Sequence, residues 1–321
     1  MVRTHGGLAT LVALAAILAF PLTDSAFYTE LLAKAMILAI FALSLDLLVG
    51  FTGLVSFGHA AYFGIGAYAT VLLSPKYDPA NLWLVLPAAV AAAGCAALVI
   101  GLFVLRTRGI YFIMVTLAFA QMVYYVFHDT ALGGGSDGIY LNFKPSAAFG
   151  GVTPFDLEQG RHLCWFVAAM LVLTWLFLAR LLVSPFGRAL AGIRSNEQRM
   201  RALGFATVRY KLAAFTIAGA LAGLAGCLYA ILFGFVTPEL LSWHQSGNVL
   251  LMVILGGIGS LAGSVGGAFA FVAMQEVFSG WTKHWQLIMG GVIVAAVLFL
   301  PGGFAALPAR VQRAFGSSRR Y

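Results

Sequence analysis

Lys34, Asp46, His59 and Glu276 are polar side chains set inside stretches that are otherwise apolar. Acid–base or nucleophilic chemistry needs two or more such groups to converge on one reacting atom. No spacing in the chain brings a nucleophile to a base, or one carboxylate to another. Cys95, Cys164 and Cys227 fall in separate apolar runs without a C-x-x-C pair, and read as small packing residues rather than a disulfide or metal site. An isolated charge in apolar surroundings is costly, so it pairs, snorkels or lines a path. Lys34 and Glu276 read as snorkelling towards an interface. Asp46, late in its segment, reads as structural, paired with a basic residue such as Arg106 or Arg108. His59 reads as a hydrogen bond between helices, with a place on a transmembrane path as the alternative.

One stretch is polar throughout. "GRALAGIRSNEQRMRALG" (residues 187–204) collects Arg188, Arg194, Glu197, Arg199 and Arg201 between two apolar segments. Placed on one helix, Ala189, Ile193, Met200 and Leu203 share an arc that Asn196 interrupts, with arginines on both flanks. Pro185 separates it from the preceding segment, and Gly187 and Gly204 punctuate its ends. Such a helix could lie on anionic headgroups, form a solvated loop, or enter a partner's groove with its arginines fixing register.

The elements that must carry these residues are membrane helices. Of 321 residues, 61% are hydrophobic and 9% charged, against roughly a quarter charged in soluble domains. Apolar segments at 8–22, 31–50, 52–73, 83–105, 110–128, 163–183, 212–236, 247–258, 263–280 and 285–303 predict about ten crossings of ~20 residues. The first also has the length of a signal peptide, although a retained helix fits better because no clear cleavage site precedes Asp24. The alternation expected of a membrane barrel is absent. Basic residues gather at 106–109, 180–211 and after Pro308, whereas the connection 129–162 holds Asp129, Asp137, Asp156 and Glu158 against Lys144 and Arg161. With both termini inside, the positive-inside rule puts every basic connection in the cytoplasm and the acidic one outside. The net charge of +8 therefore follows from topology and does not call for nucleic acid.

Two glycine clusters mark helix breaks. The first runs from Gly50 to Gly66 and includes Gly58 and His59; the second includes Gly256, Gly257 and Gly259. Small residues allow close backbone approach, and irregular backbone at membrane depth is tolerated only when buried or lining a cavity. On the acidic connection, "GGGSDGI" with Ser136 and Asp137 reads equally as a turn or as a contact for an outside partner. No G-x-x-x-x-G-K-[ST] phosphate loop occurs, and the dipeptide Gly-Lys is missing altogether. If ATP drives this protein, another chain binds it.

The run "SPFGRALAGIRSNEQRMRALGFATVRYKLAAFTIAGALAGLAGCLYA" (residues 184–230) resembles permease subunits of ATP-binding-cassette importers for branched-chain amino acids. "LLVGFTGLVSFGHAAYFGIGAYAT", "LGGGSDGI" and "LLMVILGGIGSLAGSVGGAFA" match the same family in order, so the resemblance covers roughly residues 31–303. It is closest to the subunit type with the extended outer loop, and departs from the usual pattern at Ser195, Arg199 and Ser264. The resemblance implies a single all-α permease domain over 1–321, of the type II-like importer class, in a bacterial inner membrane. Within it, 184–211 would be a cytoplasmic coupling loop and 129–162 a periplasmic loop. Arg188, Ile193, Arg194, Asn196, Glu197, Arg199, Met200 and Leu203 would dock the ATPase. The implied partners are a homologous permease, two ATPase subunits that carry ATP and Mg, and a periplasmic binding protein. The implied substrates are leucine, isoleucine and valine. A permease for urea or short amides, an ion-coupled secondary transporter and a channel are the alternatives.

Overall fold

The computed structural model describes residues 26–147, 156–299 and 302–304; the predicted segment 8–22 lies outside them. Eleven helices appear among the described residues. They are α1 (Ala26–Asp46), α2 (His59–Leu73), α3 (Leu82–Val104), α4 (Ile110–Asp129), α5 (Gly160–Val183), α6 (Pro185–Ser195), α7 (Glu197–Ala202), α8 (Thr207–Phe233), α9 (Trp243–Gly256), α10 (Leu261–Trp281) and α11 (Trp285–Phe299). A wider π-turn, Leu47–Thr52, continues α1. Six of these are long and apolar enough to cross a membrane: α1 with its extension, α3, α4, α5, α8 and α10. The chain is thus an all-α polytopic membrane protein. Among the described residues, the predicted segments 52–73, 247–258 and 285–303 appear as the shorter helices α2, α9 and α11, the first two adjoining the glycine-rich stretches.

α1 is the axis of the bundle. From Ala35 to Leu48 its side chains are almost completely buried, packed between α8, α10, α5 and α9, with His59 and Phe63 at the start of α2 against Ser44 and Phe41. A helix that is apolar on every face suits this central position. α4 is peripheral; only Phe112, Thr116 and Ala120 along it are buried, while Val115, Phe119, Val123 and Phe127 are half-buried against the core and Tyr111, Met114, Met122 and Tyr125 are exposed.

Packing at the centre depends on missing side chains. A Cβ on Gly223 of α8 would stand 2.2 Å from the Ala93 Cβ of α3, and one on Gly219 would stand 2.3 Å from the Ala97 Cβ. On α2, a Cβ on Gly66 would stand 2.2 Å from the carbonyl oxygen of Gly223. Gly219-x-x-x-Gly223 is the small-residue spacing that lets membrane helices approach closely. It lies in the run "AGALAGLAG", outside the two glycine clusters emphasised by sequence.

α6 and α7 define one end of the bundle, the loop end. At the opposite end β1 (Ile139–Tyr140) pairs antiparallel with β2 (Phe235–Val236), Ile139 facing Val236. The ring of Tyr68 stacks on Phe127 at 4.4 Å between centroids, and its hydroxyl donates to the Gly133 carbonyl at 3.3 Å. The connection after α4 is thereby strapped to the end of α8. Pro238–Leu241 forms one 3-10 turn, and Leu241 is buried with Tyr68, Val71 and Val236.

Candidate functional site

The polar stretch is two helices rather than the single one predicted. Ser184 caps α6, accepting from the Gly187 N–H at 3.5 Å with Pro185 in the first turn; proline suits that position because its missing N–H would be unpaired anyway. α6 stops at Asn196, whose extended backbone opens the bend and whose side chain accepts from the Arg199 N–H at 2.9 Å to cap α7. An asparagine followed by an acid is a helix start, which is why the predicted arc broke there.

The bend redirects the predicted apolar arc. Ala189, Leu190 and Ile193 are buried against the protein's own bundle, Ile193 at 3% exposure, while Leu203 is 66% exposed. Met200 is half-buried, its Sδ over Gly192, where a Cβ would sit 2.8 Å away. Arg188, Arg194, Ser195, Asn196, Gln198 and Arg199 are exposed. Glu197 turns inward. Its carboxylate accepts from the Lys211 ammonium and the Arg201 guanidinium, each at 2.6 Å, and from the Thr207 hydroxyl at 3.2 Å. Partial burial pushes its pKa up, but the hydrogen bonds and charges of Lys211 and Arg201 outweigh this and hold it below the usual carboxylate value. Glu197 therefore clasps α7 to the start of α8, and the surface left to a partner is cationic with an apolar spot at Leu203 and Phe205.

The first glycine cluster lies directly beneath α6. After the π-turn, Gly53 adopts a left-handed conformation (φ 75°) and the chain leaves the helix. It returns at Gly58, where a Cβ would stand 2.2 Å from the Thr116 carbonyl oxygen of α4. The break is stitched by side chains: Phe57 N–H donates to Thr116 Oγ1 at 3.2 Å, and Ala60 N–H donates to Ser246 Oγ of α9 at 2.9 Å. His59 is fully buried and joined to Ser44 of α1 through Nε2 at 2.8 Å, while its Nδ1 has no partner. It bridges two helices, as its surroundings in sequence suggested.

The second cluster closes onto the first. Gly257 (φ 108°) and Gly259 (φ 81°) form the turn between α9 and α10, and a Cβ on Gly256 would stand 2.0 Å from the Gly263 carbonyl oxygen. Asp46 corrects the expectation of pairing with Arg106 or Arg108. Its Oδ1 accepts the Gly259 N–H at 2.8 Å, across 213 residues of sequence. Arg194 arrives from α6 and donates through Nη1 to the Gly50 carbonyl. The structure thus gathers Asp46, Gly50, Gly259 and Arg194 at one point, with Gly58 and His59 deeper in the bundle. Lys34 and Glu276 lie half-buried towards the opposite end.

Ser136 and Asp137 stand apart at that opposite end. They sit exposed in a 3-10 turn, Gly135–Asp137, with Ser136 Oγ donating to Asp137 Oδ1 at 3.1 Å. Among the described residues, no three His, Cys, Asp or Glu side chains come together as metal ligands. The polar hairpin is thus hydrogen-bonded through Arg194 to the break after α1, and Asp46 ties that break to the turn between α9 and α10.

Comparison with known proteins agrees with this architecture. The family model for the branched-chain amino acid transport system permease component matches residues 27–298. The chain is 35% identical over 304 residues to the high-affinity branched-chain amino acid transport system permease protein LivM of Escherichia coli K12, covering 89% of this chain and 71% of that protein. It is 34% identical, with the same coverage, to LivM of Salmonella typhimurium. It is also 32% identical over 182 residues to the autoinducer 2 import system permease protein LsrC of Klebsiella pneumoniae, covering 54% of this chain and 49% of that one. No solved structure matches the chain. From the described fold and the match along nearly its whole length, the chain belongs to the family of permease components of branched-chain amino acid transport systems.

Proposed function

We propose that this chain is the permease subunit of an ATP-driven importer for leucine, isoleucine and valine, and that it forms half of the translocation pathway. The observation that carries the reading is the α6–α7 hairpin. One face is fixed to the bundle by Ala189, Leu190, Ile193 and the Glu197 clasp, while Arg188, Arg199 and Leu203 point away. A surface held this firmly can pass force inward when a partner moves it.

The loop end is cytoplasmic, in keeping with its arginines. ATPase subunits carrying ATP and Mg dock there, and hydrolysis belongs to them. A homologous permease completes the pathway, and a periplasmic binding protein delivers substrate at the strapped end, where Ser136 and Asp137 are exposed. Segment 8–22 and the nine crossings from α1 to α11 make ten, with α2 and α9 each completed by non-helical chain. Both termini are then cytoplasmic, and the domain is of the type II-like importer class in a bacterial inner membrane. Transport proceeds by alternating access, α5 and α8 rocking with the hairpin they flank.

Crosslinking tests the reading. Arg199→Cys, co-expressed with ATPase subunits encoded beside this chain, is expected to crosslink to one of them with a yield that changes on adding ATP. Ile193→Cys, being buried, is expected to stay unreactive. No crosslink to any candidate, with solute flux persisting in the permease alone, would replace this reading with a secondary transporter or channel.

A further inference from the structure

Arg194 occupies an unusual place in the loop. It lies in the last turn of α6, yet its guanidinium reaches a carbonyl 144 residues earlier in the chain, at Gly50 in the π-turn that ends α1. The last carbonyls of a helix lack intrahelical donors and carry the negative end of its dipole. A guanidinium answers both needs, offering several donors in a rigid fork together with a permanent charge. The Arg194 stem lies along the same turn, since a Cβ on Gly53 would stand 3.3 Å from its Cγ.

The other side of Gly50 is equally crowded. A Cβ there would meet Asp46 Oδ1 at 2.2 Å and the Gly259 nitrogen at 2.6 Å. Asp46 Oδ1 in turn accepts from that nitrogen at 2.8 Å, and Gly256 of the same turn is pressed onto Gly263 of α10. One unbroken series of contacts runs from α6 through Arg194, Gly50 and Asp46 to Gly259. It joins the hairpin to both places where the helices break. α6 also touches α5, α7 and α8, but those contacts lead to uninterrupted helices or to the loop itself.

We propose that Arg194 is a positioning residue for transport: it transmits displacement of the α6–α7 hairpin to the paired breaks at Gly50–Gly58 and Gly256–Gly259, and it is not needed to hold the ATPase. The proposal rests on the reading of the hairpin as the ATPase-docking element. It adds a division of labour, with Arg199 and Leu203 on the partner side and Arg194 on the pathway side.

The test uses the whole transporter in proteoliposomes, with its binding protein, ATP and radiolabelled leucine, and with the Arg199→Cys crosslink as a separate report of docking. Arg194→Met keeps the stem and removes the donor. It is expected to crosslink as the parent does and to hydrolyse ATP within about twofold of it, while leucine taken up per ATP falls at least tenfold. Arg194→Lys, which restores a charge and a donor, is expected to recover part of that ratio. Gly50→Ala wedges the same junction from the other side, should give the same uncoupling, and decides the matter if Arg194→Met fails to accumulate. An unchanged uptake-to-hydrolysis ratio overturns the proposal. So does loss of the crosslink in Arg194→Met, because Arg194 would then be holding the docking surface itself. Failure of the Arg199→Cys crosslink in the parent instead removes the docking reading, and this proposal with it.

Discussion

Ser44 and His59 meet across the break between α1 and α2, Oγ to Nε2 at 2.8 Å. Ser44 Oγ also donates to the Phe41 carbonyl at 2.6 Å, which uses its single hydrogen. His59 Nε2 is therefore the donor, and Nδ1 keeps an unpartnered lone pair. The ring is sandwiched with Phe41 at 5.6 Å and edge-on to Tyr62 at 5.8 Å. Shape dominates here over polarity. His59→Phe is expected to cost about 1 kcal/mol or less, since it removes a buried nitrogen that nothing satisfies. His59→Ala should cost on the order of 3 kcal/mol through the cavity it opens. Thermal unfolding of the purified complex, beside leucine uptake, checks both. Loss of uptake in a stable His59→Phe protein would assign the ring to substrate instead.

Glu197 gives a prediction in pH. Its carboxylate is held below the ordinary value of 4.5, so the charged form is favoured in the folded loop. The stabilisation is complete above that value and is lost as pH falls through the lowered folded pKa. A spin label at Gln198, on exposed α7, should stay immobilised from pH 8 to pH 5 and gain mobility only below. Glu197→Gln should mobilise the label at every pH. The pairs are partly exposed, Arg201 more than Lys211, so their loss amounts to on the order of 1 kcal/mol.

The tight helix crossings distinguish glycines that are needed from those that are not. Gly66→Ala drives a Cβ into the Gly223 backbone, whereas one on Gly266 meets nothing within 4 Å. Overpacking of this kind costs roughly 1–3 kcal/mol, or more against rigid backbone. The Gly66 variant should accumulate poorly and melt early, and the Gly266 variant should match the parent subunit in both yield and melting.

At the opposite end, Gly138 has a φ of 74°, and a Cβ there would stand 2.3 Å from the Val236 carbonyl oxygen. Gly138→Ala should detach β1 from β2 without disturbing the hairpin. The expected result is normal basal ATP hydrolysis with a severalfold smaller stimulation by the binding protein. Unaltered stimulation would show that the strap has no part in receiving it.

Much of this fold can be read in hydropathy. The segments predicted at 83–105, 110–128, 163–183 and 263–280 lie within a few residues of α3, α4, α5 and α10, because an apolar run of that length has few other uses. Breaks are harder to read. The glycine clusters mark where the helices are interrupted, but not the form of the interruption, a π-turn, a left-handed Gly53 and a restart at His59. Partners distant in sequence are hidden altogether. A shared end of the bundle suggests Arg106 or Arg108 as the partner of Asp46, whereas the group it accepts from is a backbone N–H exposed by a turn. The sequence does carry one signal of the bend: Asn196 followed by Glu197 is a helix start, and it separates buried Ile193 from exposed Leu203.

α9 has a consequence for how the chain enters the membrane. Its 14 residues span about 21 Å at 1.5 Å per residue, short of the ~30 Å of hydrocarbon. On the proposed ten-crossing topology, the rest of the distance falls to 234–242, a short strand and a 3-10 turn whose backbone must be shielded from lipid. During synthesis such a segment gains little by partitioning into lipid alone. On that topology it would enter only once α8 and α10 flank it, and α2, at 15 residues, would depend in the same way on α1 and α3. Biogenesis would then proceed in packets of helices, with the two glycine breaks settling only after their neighbours have arrived.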